Sequence, residues 1–163
     1  MVAQNKNIKF SEARYLKRIK NYPFCIKDDK KYKYEALISL GSNIEPECER
    51  FVRLFRKIQG DRRIKIIQTS ALLINEAFGY KEQKDFTNAL MYIKTSLHAR
   101  ALLKVLQHYE NIFKRERSFK NAPRTLDLDI VFFSSKTYCD SRLTLPHVGA
   151  YDRLSITLIL GLM

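Results

Sequence analysis

The stretch 125–133, Thr-Leu-Asp-Leu-Asp-Ile-Val-Phe-Phe, constrains this chain more than any other segment. Its apolar residues alternate and then run continuously, which predicts a strand. Side chains two apart lie on the same face of a strand, so we expect Asp127 and Asp129 side by side. Two carboxylates repel each other in a partly buried place, and this favours a bound cation. Oxygen ligands are typical of Mg²⁺, above all where phosphates supply the remaining ligands.

Basic residues precede this strand and suit the same chemistry. They are Arg115, Arg117, Lys120 and Arg124. Cations beside a metal-binding carboxylate pair favour a polyphosphate substrate, because the charge that moves in the transition state must be neutralised. An Asp-x-Asp pair alone, however, is more often a solvated strand face or a partner for neighbouring arginines. The flanking sequence therefore decides between the two interpretations.

The segment 123–130, Pro-Arg-Thr-Leu-Asp-Leu-Asp-Ile, resembles the signature of the 6-hydroxymethyl-7,8-dihydropterin pyrophosphokinase family. Three further segments resemble family motifs in the same order: Leu-Gly-Ser-Asn at 40–43, Asp-Phe-Thr-Asn-Ala at 85–89 and Arg-Leu-Thr-Leu-Pro-His at 142–147. The resemblance implies an enzyme of folate biosynthesis. Such an enzyme transfers the pyrophosphoryl group of ATP to 6-hydroxymethyl-7,8-dihydropterin and releases AMP.

The resemblance also implies a role for individual residues. It implies that Arg115 and Arg124 are catalytic and that Asp127 and Asp129 hold two Mg²⁺ ions. The implied ATP-binding residues are Gln107, Glu110, Arg117, Ile130, Arg142, Thr144, His147 and Arg153. For Glu110, a solvated helix face is an equally good interpretation.

A second implied group is the pterin pocket. Its residues are Gly41, Ser42, Asn43, Phe86 and Asn88. Phe86 and Asn88 are two apart and share a strand face, and an aromatic surface beside an amide suits a flat heterocycle. The resemblance implies that Phe86 stacks on the pterin and that Asn88 binds its edge. The family's second stacking aromatic is expected near position 155, where this chain has Ser155. Either the pterin is sandwiched less completely, or the nearby Tyr151 substitutes.

The order of predicted elements indicates the fold. Strand, helix, strand, strand, helix and strand predict an α+β protein of the ferredoxin-like type, an antiparallel sheet with two helices on one face. We predict strands at 35–40, 63–74, 85–93 and 125–133, with helices at 46–59 and 97–114. Ser96 is the predicted cap of the second helix. The loop 75–84 is expected to close over the substrate, as the resemblance implies.

Residues 1–33 are predicted to form a basic extension before a pyrophosphokinase domain at 34–163. Residues 1–34 hold ten Lys and Arg against three Asp and Glu, or +7, which leaves +6 of the net +13 for the rest. Ser11 is the predicted cap of a short basic helix over 11–20. We expect the extension to pack loosely on the core as a solvated arm.

The net charge of +13 raises nucleic-acid binding as an alternative. No zinc-finger spacing or RNA-recognition signature accompanies it, and the basic excess at 114–124 fits a nucleoside triphosphate. We therefore expect no nucleic-acid partner. The alternative that stays open is a non-catalytic ferredoxin-like module that binds nucleotide or RNA through its basic arm.

Several common classes of protein are not expected. No apolar run approaches the ~20 residues that span a bilayer, and the N-terminus lacks the apolar core of a secretory signal. The three cysteines show neither metal-ligand spacing nor an even-numbered disulfide framework, which favours a reducing compartment. We expect a cytoplasmic monomer without a membrane partner, whose substrates are ATP and the pterin.

Overall fold

The structure is a computed structural model that describes residues 12–28, 30–77, 82–116, 119 and 122–163. This part of the chain forms nine strands and three helices. The strands are β1 Ala13–Lys17, β2 Phe24–Cys25, β3 Tyr34–Ser42, β4 Ile64–Thr69, β5 Leu72–Asn75, β6 Phe86–Thr95, β7 Asp127–Phe133, β8 Tyr138–Cys139 and β9 Thr144–Leu145. The helices are α1 Glu47–Gln59, α2 Ala99–Ile112 and α3 Leu154–Leu160.

Seven strands form one antiparallel sheet, and β8 and β9 form a separate hairpin. The sheet runs β1-β5-β6-β3-β7, and β4 also pairs with β6 while β2 pairs with β4. The central order β4-β6-β3-β7, with α1 after β3 and α2 after β6, is the ferredoxin-like arrangement. The predicted α+β fold is therefore confirmed.

The two faces of the sheet are covered differently. Alternate residues of β3, β6 and β7 pack under α1 and α2 in the larger core, where Ile38, Met91 and Leu128 are almost fully buried. The opposite face carries Leu90 and a smaller core that includes Ile156 of α3. The two predicted helices do share one face. The short α3, which no sequence pattern indicated, covers part of the other.

The predicted helix over 11–20 is wrong in its described part, because this segment forms β1. Leu16 lies opposite Leu73 in an antiparallel pair with β5. Tyr22 follows and is fully buried, with its ring 5.9 Å from that of Phe51, so this part of the chain is not a loosely packed arm. This short basic segment has too few apolar residues to form the buried stripe of a helix. As a strand, it can instead hydrogen-bond to backbone groups of β5 that would otherwise be unpaired. The division into two regions stays a prediction.

Two further boundaries differ from the predictions. The single strand expected at 63–74 is two strands, because the chain leaves the ladder at Ser70, whose N–H donates to Leu90 O and whose Oγ accepts the N–H of Leu90. The α2 helix begins at Ala99 and is capped by His98, not by Ser96, since Nδ1 of His98 accepts the N–H of Ala101. Within the described residues, no helix is long and apolar enough to cross a membrane.

Candidate active site

The carboxylates lie where β7, β3 and β6 run side by side at one end of the sheet. Asp127 is opposite Gly41 on β3, and Gly41 is opposite Asn88 on β6. Asp129 is opposite Ser39. Leu128 is buried on the other face, so the alternation places both carboxylates on the same face, as predicted. Gly41 has no side chain, and a Cβ added there would lie between the two neighbours, 3.8 Å from Asp127 Cβ and 3.1 Å from Asn88 Oδ1.

Asp127 is held by two guanidinium groups. Arg115 Nη1 lies 2.7 Å from Asp127 Oδ1, and Arg124 Nη1 lies 2.6 Å from Asp127 Oδ2. All three side chains are less than one-fifth exposed, so water screens these contacts weakly. The structure thus brings both predicted catalytic arginines onto the predicted metal ligand.

Asp129 has a different environment from Asp127. Its nearest ion-pair partner in the described part of the chain is His147, whose Nε2 is 3.8 Å from Asp129 Oδ2. Burial, and then the charge of Asp127, raise the pKa of the Asp129 carboxyl. Burial lowers the pKa of His147, so the imidazole is mainly neutral at pH 7. Because His147 Nδ1 accepts the N–H of Gly149, the ring proton is on Nε2, which faces Asp129.

Glu110 of α2 points into the protein. The residue is only 3% exposed, and its Oε1 accepts the N–H of Leu128 at 2.8 Å and a hydrogen bond from Arg115. This buried carboxylate connects the helix, the strand that carries Asp127, and Arg115. These contacts do not fit the solvated helix face that the sequence left open, and the ATP contact stays a prediction.

Two residues of the predicted pterin pocket join loops. Asn43 Oδ1 accepts the N–H of Arg124, and Asn43 Nδ2 donates to Gln83 Oε1 and Lys84 O. Ser42 Oγ donates to Thr125 O at 2.7 Å. Both side chains are more than nine-tenths buried, so each holds the backbone around the site in place. Direct contact of either side chain with a pterin stays a prediction.

Phe86, Asn88 and Gly41 lie close together on the carboxylate face of the sheet. A Cβ added to Gly41 would lie 3.1 Å from Asn88 Oδ1 and 4.0 Å from Phe86 Cδ1. Arg124 stands over the Phe86 ring, 5.4 Å from its centroid. Asn88 Nδ2 donates to Oδ1 of Asn75, which leaves Asn88 Oδ1 as an acceptor towards the pocket. The orientation follows from Asn75, whose own Nδ2 donates to a backbone carbonyl.

Another group of predicted ATP-binding residues lies on the helix side of β7. Gln107 and Arg142 line a cavity of about 470 Å³ together with Arg100 and Lys104. Thr144 is exposed on β9, which packs beside β7. Ile130, by contrast, is 3% exposed and packs in the larger core.

The remaining predicted residues follow β9. The N–H of His147 donates to Val131 O of β7. This bond holds His147 beside the strand that carries Asp129. A Cβ added to Gly149 would lie 2.5 Å from Arg153 Nε, so the glycine lets this arginine side chain pack over its backbone. Tyr151 is 68% exposed and meets the ring of Phe132 edge-on. Whether Tyr151 replaces the missing aromatic stays a prediction.

One predicted residue, Arg117, lies outside the described residues. Sequence reasoning also missed residues that support the site. Asn75 and Arg50 lie outside every sequence motif described above. Arg50 is only 9% exposed and donates to Ser42 Oγ and to Ile44 O. An arginine eight residues after Ser42 on a helix face gives no local signal for that contact.

Fold and site together define a class. Paired carboxylates held with guanidinium groups on one face of a ferredoxin-like sheet indicate an enzyme that transfers a phosphoryl or pyrophosphoryl group. A family model described as 7,8-dihydro-6-hydroxymethylpterin-pyrophosphokinase matches residues 37–160, and the chain belongs to this family. The family resemblance read from the motifs is therefore confirmed, and a non-catalytic module is not favoured.

Several curated proteins share this similarity over most of their length. The chain is 55% identical over 156 residues to a 2-amino-4-hydroxy-6-hydroxymethyldihydropteridine pyrophosphokinase of Campylobacter jejuni, covering 96% of this chain and 99% of that protein. It is 33% identical to a protein of the same name from Helicobacter pylori, covering 86% and 88%. A third, from Bacillus subtilis, is 32% identical and covers 74% and 72%.

Proposed function

We propose that this chain transfers the β,γ-pyrophosphoryl group of ATP to the hydroxymethyl group of 6-hydroxymethyl-7,8-dihydropterin. The products are the pterin diphosphate and AMP, and the reaction is a step of folate biosynthesis. The observation that carries the proposal is the pair Asp127 and Asp129 on one strand face, with Arg115 and Arg124 on Asp127. Membership of the pyrophosphokinase family agrees with this chemistry.

ATP binds across the edge strand β7. Gln107 and Arg142 line the cavity on the helix side, whereas His147 approaches Asp129 on the opposite face. The base and ribose belong on the helix side and the triphosphate on the carboxylate side. Arg153 adds positive charge there, since it acts electrostatically on Asp129. This assignment brings the phosphates to the only side of β7 that carries the carboxylate pair.

The pterin lies beside the phosphates on the open end of the same face. Phe86 supplies a flat surface, and Asn88 presents its Oδ1 above Gly41 as an acceptor for ring N–H groups. Asn43 and Ser42 hold the two loops that border this space. Asn88 and Asp127 flank Gly41, so the acceptor hydroxyl is close to the phosphates.

Asp127 and Asp129 would hold two Mg²⁺ ions. The donor set fits, because both are carboxylates, and burial raises the pKa of Asp129 as expected where a cation is needed to stabilise the charged form. The described residues contain no group of three or more His, Cys, Asp or Glu side chains suited to a metal, so phosphate oxygens and water would complete the ligand sets. Bound Mg²⁺ neutralises phosphate charge and lowers the pKa of a coordinated hydroxyl.

Arg115 and Arg124 stabilise the negative charge on the transferred group. Both guanidinium groups lie at Asp127, and they would exchange their contacts with this carboxylate for contacts with phosphate when Mg²⁺ and ATP bind. Glu110 orients Arg115 through a buried contact and fixes the start of β7 through the N–H of Leu128. We further propose that the protein is a monomer and that it is cytoplasmic, and the free Cys25, Cys48 and Cys139 favour a reducing compartment.

The test measures AMP release from ATP and Mg²⁺, with and without the pterin. AMP that appears only with the pterin supports both the reaction and the acceptor. Asp129→Asn should lower kcat by roughly 10²-fold or more, the scale for removing one preorganised charge. Asp28→Asn, at an exposed carboxylate beside Lys94, is the matched control and should leave kcat unchanged. Pterin-dependent AMP release by Asp129→Asn at the normal rate would refute the mechanism.

A further inference from the structure

The turn between β8 and β9 is built around Asp140. Asp140 Oδ1 accepts the N–H of Arg142 at 2.8 Å and that of Leu143 at 2.9 Å, and the N–H of Asp140 donates to Leu143 O. One carboxylate oxygen therefore satisfies two backbone donors that an exposed turn would otherwise leave to water. These bonds fix the backbone that carries Arg142.

The second oxygen of Asp140 reaches another element. Asp140 Oδ2 accepts a hydrogen bond at 2.5 Å from Nη2 of Arg100, which lies in the first turn of α2. The contact joins residues forty apart, so it connects the hairpin turn to the helix. We call this pair the Arg100–Asp140 clasp.

The clasp lies beside the cavity between α2 and the turn. Arg100, Lys104 and Gln107 are spaced by four and three residues on α2 and line one wall, and Arg142 lines the other. Leu143 is 6% exposed and packs in the larger core, which holds the hairpin on the protein, whereas Arg142 is exposed. The position of Arg142 relative to Gln107 therefore depends on how the exposed turn is held.

We propose that Arg100 and Asp140 are positioning residues for the nucleotide, which hold Arg142 across the cavity from Gln107 before ATP binds. The inference rests on the proposed function, which assigns this cavity to the base and ribose. A turn that is already ordered loses less conformational entropy on binding, so the clasp increases affinity for ATP. It does not touch the transferred group and has no effect on the chemical step.

A purely local role for Asp140 would be to stabilise its own turn. Asp140→Asn separates the two roles, because an amide oxygen still accepts both N–H groups but the charge on Arg100 is left without its partner. Arg100→Ala removes the same contact from the helix side. Arg63→Ala is the matched control, because Arg63, which is half-exposed just before β4, forms a similar pair with Asp61, 2.7 Å apart, and does not line the cavity.

The experiment measures KM for ATP and for the pterin, kcat, and the Kd of ATP by calorimetry without the pterin. Asp140→Asn and Arg100→Ala should each raise the KM and Kd of ATP about two- to fivefold, the range of an exposed ion pair. The double variant should show no further rise, and Arg100→Lys should recover part of the affinity. The kcat and the KM of the pterin should not change, and Arg63→Ala should behave like the unaltered protein.

Unchanged Kd values for ATP in both single variants would overturn the proposed role of the clasp in nucleotide binding. Effects that add in the double variant would also overturn it, since they would mean that Arg100 contacts the nucleotide directly. Failure of the proposed function looks different. In that case the unaltered protein releases no AMP with the pterin, while the calorimetric comparison still tests the clasp. If the unaltered protein does not bind ATP at all, both proposals fail.

Discussion

The sheet face that carries the carboxylates differs sharply between its two ends. At one end, Leu90 and its neighbours are covered by α3, and they are among the most buried side chains in the protein. At the other, open end, Phe86, Asn88 and Asp127 lie around Gly41 on the same strands, and their side chains are only partly buried. Strand β6 supplies both Leu90 and Asn88, which are only two residues apart on the same face.

This difference shows how one face supports both stability and chemistry. The covered end buries apolar area and keeps β3, β6 and β7 in register, while the open end places polar groups on backbone that is already rigid. Stability and catalysis should therefore respond to different substitutions along the same strands. Three predictions test this separation, beginning with the largest expected effect.

Leu90→Ala should destabilise the protein without damaging the site. Leu90 is fully buried under α3, and removing its side chain should lower the free energy of unfolding by about 2–5 kcal/mol. Urea denaturation measures the loss. The matched control is Leu160→Ala, at a 43% exposed position of the same helix, which should change stability by less than about 0.5 kcal/mol. A folded Leu90→Ala protein with greatly reduced kcat would show that the two ends are coupled.

Gly41→Ala should have the opposite effect, because it should impair pterin binding rather than stability. The new Cβ would lie 3.1 Å from Asn88 Oδ1, so the amide must shift by a few tenths of an ångström. We expect a several-fold rise in the KM of the pterin, well below the ~10²-fold that a misplacement of about 1 Å can cause. The Kd of ATP should not change.

Gly60→Ala is the control for this substitution, since its Cβ would meet only ordinary contacts at 3.5 Å and beyond. It should leave the KM of the pterin unchanged. An unaltered pterin KM in Gly41→Ala would mean that Asn88 does not bind the ring edge.

The smallest expected effect is on stability at low pH, and it comes from Asp61, which precedes β4 beyond the covered end. The Arg63 guanidinium lowers the pKa of this carboxyl from 3.8 to about 2 in the folded protein. Because the folded pKa is below the unfolded one, the stabilisation is complete above the unfolded pKa and is lost as the pH falls towards about 2. Urea unfolding from pH 5 to pH 2 should show a shallower loss of stability for Asp61→Asn than for the unaltered protein. Parallel curves would exclude this contribution.

Local patterns in the chain were sufficient for the part of the site that depends on one strand. The alternation in 125–133 correctly placed Asp127 and Asp129 on one face, because the period of a strand does not depend on its neighbours. The stripes of α1 and α2, and the order of the central elements, followed in the same way. The family motifs added the expected reaction, which no periodicity could indicate.

Contacts between distant residues had to come from the folded chain. Asn43 bonds to the backbone of Arg124, eighty-one residues away, and Glu110 turns inwards to the N–H of Leu128. Strand β1 forms because the backbone of β5 is available for pairing. Helix α3 covers the second face because its apolar side chains pack against Leu90 and its neighbours. Such choices depend on which groups meet in three dimensions, and propensity within a short segment carries no information about them.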